Sequence, residues 1–424
     1  MSIGFATPAV APSVPPIAPD ADPCGKAAAD VAPIPGVQDV RANMGDDARA
    51  KSTLKGVSFF VISLIPYVLG LAGFLALDGW WPKAVSAAVM TMSLPMLFIV
   101  GHDACHQSLT PQRWLNKLIG RLTMVPTWHA YSVWDVVHNG LHHPWTNVRG
   151  KDFAWMPLSK DEYDRLTPLG RFLHRRYRTW WGPAFYYIIE MWGKYGMTGA
   201  KAPTPRINVH FWADRISVVA FTVFLVTGVL HLTDRTGLGG NSLLVSAGLL
   251  TLGVVIPFLV WNWVMGMIIL VHHTHPTIPW YGDVSDWSYY AGQVQSTVHV
   301  ELPRPIELVL HNIMEHTAHH ADPRVPLYNL EKAQKHLEEA YGDEIVVVPF
   351  TFGGLFKTLR TCRLYDYENH RWLDWDGTPS TAPLLERRDG RLVRAGNAED
   401  GQDTQRNPVT PSTSSHHPST KVAA

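Results

Sequence analysis

Four long apolar runs interrupt an otherwise polar chain. The first, Gly56 to Leu77, carries no charge, and after Asp78-Gly-Trp-Trp-Pro-Lys83 a second goes from Ala84 to Gly101. A third spans about Ile216 to Leu232, bounded by Asp214-Arg215 and Asp234-Arg235, and a fourth runs uncharged from Ser242 to Val271. A helix needs about 20 predominantly apolar residues to cross a bilayer. The fourth run exceeds that, so its end is expected to project from the membrane, carrying His272, His273 and His275. Trp80, Trp81, Trp261 and Trp263 lie near run ends, where aromatic belts form at membrane interfaces. The short, turn-rich connectors at 78–83 and 233–241 predict two helical hairpins. Four buried helices of a large soluble protein would be the alternative, and it accounts less well for the run lengths and the tryptophans.

Two hairpins bring the chain back to its starting side. The N-terminus, the segment 102–215 and everything after 271 are therefore expected on one face of the membrane. Lys51, Lys55, Arg113, Lys117, Arg206 and Arg215 flank the spans on that face, against only Lys83 and Arg235 in the connectors. The excess of basic residues assigns it to the cytoplasm. The predicted architecture is an all-α integral membrane protein, four transmembrane helices in two hairpins with a cytoplasmic helical cap. Residues 1–50 read as a disordered Ala/Pro-rich segment, 51–377 as the membrane domain, and 378–424 as a disordered polar tail. The aromatic segment 183–197, with Glu190 and Lys194 one turn apart, reads either as an interfacial helix or as a core helix of the cap.

Composition narrows the function classes. The net formal charge is zero, which offers nothing to nucleic acid. Cys24, Cys105 and Cys362 are far apart, so neither a thiolate zinc site nor a disulfide framework is indicated. No charged n-region precedes an apolar h-region, so no signal peptide is read. There is no HPGG haem segment, no GxGxxG and no cysteine set for an iron–sulfur cluster, so electrons for any redox step have to come from a separate protein.

The chemistry lies in the histidines. His102-Asp-Ala-Cys-His106, His138-Asn-Gly-Leu-His142-His143 and His316-Thr-Ala-His319-His320 each sit in the segments that share one face. Neutral imidazole is a good ligand for iron, copper or zinc, and residues four apart share a helical face. Eight imidazoles are too many for one ion, which points to two metals in a shared site. A ferritin-like site would need inward glutamates and Glu-x-x-His pairs. A zinc hydrolase would show HExxH, which is absent. Transport would predict polar residues within the spans, and these are nearly absent. Nitrogen-ligated metals at a membrane surface suit oxygen activation directed at an apolar substrate.

These residues resemble the membrane-bound fatty acid desaturases, in the acyl-lipid delta-12/omega-6-like branch. The first box is similar to the family's HDxxH. The second, with the trailing Thr146-Asn147 and Lys151-Asp152, is similar to its HxxxHH. The segment His311-Asn-Ile-Met-Glu-His316-Thr-Ala-His319-His320, followed by Arg324-Val-Pro326, is similar to HNIxxHxxHH and R-x-P. His272-His273-Thr274-His275-Pro276 resembles QHTHP, with His in place of Gln. The likeness covers roughly residues 55–335. It implies two iron ions held by His102, His106, His138, His142, His143, His316, His319 and His320, with His273 as a ninth ligand. His311 and Asn312 would orient ligands, and Asp103, Asn139, Asn147 and Asp152 would accept ring N–H groups or serve as turn residues. His275 is either a site residue or a structural one. His129, His174, His210, His231, His299, His336 and His370 are expected outside the centre, as are His416 and His417 in the tail, and Cys105 is expected to pack as a small residue. The implied reaction is O2-dependent desaturation of a long acyl chain, with ferredoxin or cytochrome b5 and its reductase as electron donor. An acetylenase, a conjugase or an acyl hydroxylase would use the same boxes, and a carotenoid or alkane oxygenase fits the third box less well. No catalytic group beyond the metal ligands is identifiable.

Overall fold

The computed structural model describes residues 33–232, 242–388 and 390–395. Its four long apolar helices are Thr53–Ala76, Trp80–Cys105, Pro205–Leu232 and the stretch Ser242–His273. The Ser52 hydroxyl starts the first by accepting the Lys55 N–H. Gly79, at φ 83°, makes the tight turn into the second, a backbone region that side chains with a Cβ disfavour. The two helices of this hairpin touch: a Cβ on Gly70 would lie 2.8 Å from the Met90 nitrogen. The second span is the central one, 67% buried against 22–28% for the others.

Two of these helices are longer than a bilayer requires. At about 1.5 Å per residue, Ser242–His273, with 32 residues, reaches about 48 Å against an apolar core of about 30 Å. Trp80–Cys105, with 26 residues, also overshoots. Both C-terminal ends carry histidines, so the first box forms the last turn of a span rather than the loop after it. The third span begins at Pro205, well before the expected Ile216. Asp214 and Arg215 do not stop it, because the Asp214 carboxylate accepts from Arg121 and from the Ser132 N–H, each at 2.8 Å. The connector expected at 233–241 lies outside the described residues.

The cap is made of segments 106–204 and 274–395. It is mostly helical, with three two-stranded sheets. Val298–Glu301 pairs in parallel with Val346–Pro349, Leu364–Asp366 antiparallel with Arg371–Leu373, and Leu385–Arg388 antiparallel with Arg391–Arg394. Segment 183–197 is a core element of this cap. A short α-helix, Gly182–Tyr186, runs into a π-helix, Tyr187–Gly199, whose Tyr187 and Met191 are buried, and Glu190 and Lys194 pair on its outer side. Tyr177 donates to Glu190 at 2.9 Å.

Both ends differ from expectation. The segment expected to be disordered up to residue 50 forms a helix at Val37–Ala42, and Val40, Met44 and Ala48 are buried against Leu330, Ala333 and Leu337. Their apolar side chains supply the burial that the Ala/Pro-rich average concealed. The tail expected to be disordered from residue 378 instead continues as the hairpin Leu385–Arg394. Arg387 bonds Asp286 at 2.9 Å and Arg394 bonds the Gln295 carbonyl at 2.7 Å. Residues 1–32 and 396–424, with Cys24, His416 and His417, lie outside the described residues.

Candidate metal centre

The nine histidines named from the sequence converge into two buried groups. His102, His106, His138, His143 and His319 form one, and His142, His273, His316 and His320 the other; within each, the ring nitrogens lie within 4.8 Å of one another. Box one places His102 and His106 a turn apart at the end of the second span. Box three is the helix His316–Ala321, whose His316 and His320 share one face and fall in the second group, while His319 turns to the first.

Box two is built differently. The helix Tyr131–Val137 widens into a π turn at His138–His142, and the His143 N–H bonds the His138 carbonyl five residues back. The wider turn sets the His143 ring edge-on to His138, with their Nε2 atoms 3.0 Å apart, while the His142 ring stays stacked on His138 at a centroid distance of 5.2 Å and its donor falls in the other group. Across the two groups the His143 and His320 rings stack with centroids 4.4 Å apart.

The spacing suits metal ions. Imidazole binds a small divalent cation at about 2.0–2.1 Å, which sets neighbouring donors about 3 Å apart. The Nε2 pairs measure 2.8 Å for His102–His138, 3.4 Å for His102–His106, 3.2 Å for His143–His319 and 2.9 Å for His273–His316. Burial, followed by the neighbouring imidazoles, holds His106, His138, His143, His316, His319 and His320 well below the ordinary histidine pKa. Neutral rings with lone pairs pointing at one another are donors prepared for a cation.

The groups behind the rings match the expectations only in part. Asp152 accepts from His142 Nδ1 at 2.9 Å and also receives the Asn147 N–H at 3.0 Å, fixing which ring nitrogen of His142 faces inward. Asn139 lies against His106 and donates to Asp135 at 2.6 Å. Asn147 donates to the Pro279 carbonyl at 3.1 Å, and Asp103 accepts the Leu327 N–H at 3.3 Å, so each ties chain segments together rather than holding a ring. His311 does not orient a ligand. Its Nε2 meets Ser63 of the first span at 2.8 Å, and Asn312 donates to the Leu327 carbonyl. Both sit at positive φ, 46° and 58°, in a turn that swings the His311 ring toward the spans. His275 bonds Thr277 at 2.7 Å in a surface turn, a structural role.

Two residues at the centre were missed. Gln293 Oε1 meets His320 Nδ1 at 2.9 Å while its amide donates to the His143 carbonyl at 2.7 Å. It lies outside every histidine motif, and only the fold brings it in. His272 is fully buried, with its ring stacked on His316 at a centroid distance of 3.7 Å. Its signal was its place in the motif, where His replaces Gln. The remaining histidines among the described residues fall outside both groups; His129, for example, bonds the Tyr187 hydroxyl at 2.6 Å.

Both groups border an apolar cavity: Phe98, Trp134, Phe153, Trp261, Met265 and Ile269 wall it, and His102, His138, His142, His273 and His316 line it. Trp134, Phe153 and Met191 also border a second apolar cavity, which His129 and Tyr187 line. An apolar molecule held there would lie against both imidazole clusters.

Comparison with known proteins points the same way. The profile of the family described as fatty acid desaturase matches residues 78–352. The chain is 31% identical over 331 residues to the chloroplastic omega-6 fatty acid desaturase of Glycine max, covering 76% of this chain and 70% of that one. It is 28% identical over 335 residues to the sn-1 oleoyl-lipid 12-desaturase of a Synechocystis species, covering 78% and 90%. The corresponding enzyme of a Picosynechococcus species is 27% identical over 314 residues, covering 73% and 84%.

Proposed function

The chain belongs to the fatty acid desaturase family, a membrane oxidoreductase that introduces a double bond into a fatty acyl chain, and from that premise we propose that it desaturates a monounsaturated acyl chain of a membrane lipid with two iron ions. One observation carries this reading: nine buried imidazoles converge in two groups, and members of both groups line an apolar cavity. His102, His106, His138, His143 and His319 would hold one iron, and His142, His273, His316 and His320 the other. When bound, the iron pair supplies the O2-dependent oxidation of unactivated C–H bonds that side chains cannot perform.

The chain's own residues do the rest. Asp152 and Gln293 hold His142 and His320 so that the opposite ring nitrogen of each faces the metal. The aromatic walls exclude water and present adjacent methylenes to the centre, so placement rather than acid–base chemistry sets which bond is oxidised. A target like that of the 12-desaturase relatives, an oleoyl lipid, suits a centre bordered by apolar cavities. Each double bond takes one O2, two protons and two electrons from a separate ferredoxin or cytochrome b5, because reducing O2 to two waters needs four electrons and the acyl chain gives two. The basic residues flanking the spans support a cytoplasmic position for the centre.

Expression in a host that makes oleoyl lipids, followed by mass spectrometry of the acyl chains, tests the reaction. The expected product is a diunsaturated chain that appears only with oxygen, together with about two irons per purified chain. A hydroxylated or acetylenic product would overturn the desaturase assignment, and stoichiometric zinc without iron would overturn the metal. In the same cells a tag beside Gly79 should be reachable only from outside the cytoplasm; labelling from within would reverse the orientation.

A further inference from the structure

Electrons have to reach a centre that is buried on every side, so the surface nearest its ligands is where they enter. Arg41, Arg49 and Arg324 converge there on one fully buried carboxylate, Asp322, which stands two residues beyond His320. Arg324 holds it with two bonds of 2.9 and 3.0 Å, Arg41 lies 3.6 Å away, and Arg49 bonds it directly. Three guanidinium groups on one carboxylate leave a net positive patch. The arginines are not consumed by the fold: 45% of the Arg49 side chain and 51% of the Arg324 side chain face solvent.

Main-chain contacts tie this patch to both histidine groups. Arg41 Nε donates to the Ala321 carbonyl at 3.3 Å, next to His320 of the second group. Lys51 Nζ donates to the Gln107 carbonyl at 2.7 Å, next to His106 of the first. Lys51 feels Arg113 and Arg324 as neighbouring cations, and Asp103 and Asp322 as the facing carboxylates. Of the exposed carboxylates on the same segment, Asp47 is held by Lys332 at 2.7 Å and Asp39 accepts the Gly36 N–H at 2.8 Å, which leaves Asp46 against the four cations of the patch. A positive surface one residue from a ligand of each group is a place for an anionic protein to bring an electron within reach of both.

We propose that Arg41, Arg49, Lys51 and Arg324 form the docking surface for a small acidic one-electron carrier protein that reduces this centre. The inference rests on the desaturase reading. Two reduced carriers dock in turn, each giving one electron and leaving oxidised. With two protons from water, and with two hydrogens leaving the acyl chain as the double bond forms, those electrons complete the reduction of one O2 to two waters. Complementary charge speeds encounter and orients the partner, and salt screens it.

The test uses the full-length, iron-loaded protein in lipid, supplied separately with reduced ferredoxin and with reduced cytochrome b5, each regenerated by its reductase. Product formation is measured against carrier concentration at low and high salt. Arg49→Gln combined with Arg324→Gln should raise KM for the accepted carrier about tenfold or more, flatten the salt dependence and retain kcat at saturation. Those arginines also neutralise Asp322, so Lys51→Gln, which removes a charge bonded only to a carbonyl, is the second variant and should raise KM in the same direction. Arg304→Gln, an exposed arginine paired with Glu307 and Glu331 elsewhere on the surface, should leave KM alone. Unchanged KM and salt slope with both carriers would overturn the docking surface. So would a fall in kcat or iron content with KM unmoved, which would make the arginines a clamp on the third box. Carrier oxidation by the wild type that depends on the patch but yields no acyl product would instead sink the desaturase reading and leave the docking surface standing.

Discussion

His142 is held by a single carboxylate, and that carboxylate is itself held. Asp152 Oδ1 faces His142 Nδ1 and the Ala154 N–H, both at 2.9 Å, and Oδ2 takes the Asn147 N–H at 3.0 Å. Such partners fix the tautomer and raise ligand basicity, and their loss costs about 10–100-fold in metal affinity. Asp152→Asn should therefore weaken iron binding by about that factor while the protein still inserts into membranes, and Gln293→Ala should act likewise through His320. Iron titration of the purified variants checks both; affinities equal to wild type would mean that the rings are oriented by packing. At this scale the sequence showed the clustered histidines well, because imidazole spacing is local. The supporting residues were less legible. Asp152 trails its box by ten residues and was readable as a candidate, whereas Gln293 bonds across 27 residues to His320 and leaves no local pattern. His311 and Asn312 show the opposite failure, since motif proximity suggested a role that their positive-φ turn directs elsewhere.

The π turn at His138–His142 divides the second box between two groups. It adds one residue to a helical turn, a local cost that persists when surrounding structure demands it and that often marks functional sites. Nothing stands within 4 Å of where a Gly140 side chain would begin, so the turn bulges into open space and can change length without a clash there. Inserting an alanine after Gly140 should put His142 five residues from His138, in the place that His143 now holds, and break both groups at once. The expected result is a membrane-inserted protein with less than half the wild-type iron and no desaturation. Full iron content in the insertion variant would show that the length of this turn is not what sorts the histidines. Periodicity arguments assume 3.6 residues per turn, which is why this element was invisible in the sequence. The spans were legible for the converse reason: uninterrupted apolar length is insensitive to small changes of pitch. Only their ends moved, where Asp214 found partners in the cap and the first box continued the second span.

Across the whole molecule, the centre is where four distant stretches of chain are tied together, so its protonation bears on global stability. An unfolded histidine takes up a proton near pH 6.5. In the folded protein, burial and neighbouring imidazoles lower this for His106, His138, His143, His316, His319 and His320. Below about pH 6.5 the unfolded chain thus binds more protons than the folded one, and acid favours unfolding. His299 works in the other direction. Burial lowers its pKa, but the hydrogen bond and charge of Glu338 more than offset that, so it favours the folded state below its unfolded value. Glu315 and Asp135, whose carboxyls burial raises, oppose as His299 does, while His129, His174, His275 and His311, lowered by burial, join the six. Metal-free protein should therefore melt at progressively lower temperature as pH falls from about 7.5 to about 5.5, with a steeper decline than a variant in which His316 and His319 are replaced by Gln. Bound iron should raise the melting temperature throughout this range, because the folded imidazoles are already neutral and need lose no proton to accept it. A metal-free melting temperature that stays level or climbs on acidification would mean that the imidazoles are already protonated in the folded state, and the two clusters would then be unsuited to hold cations.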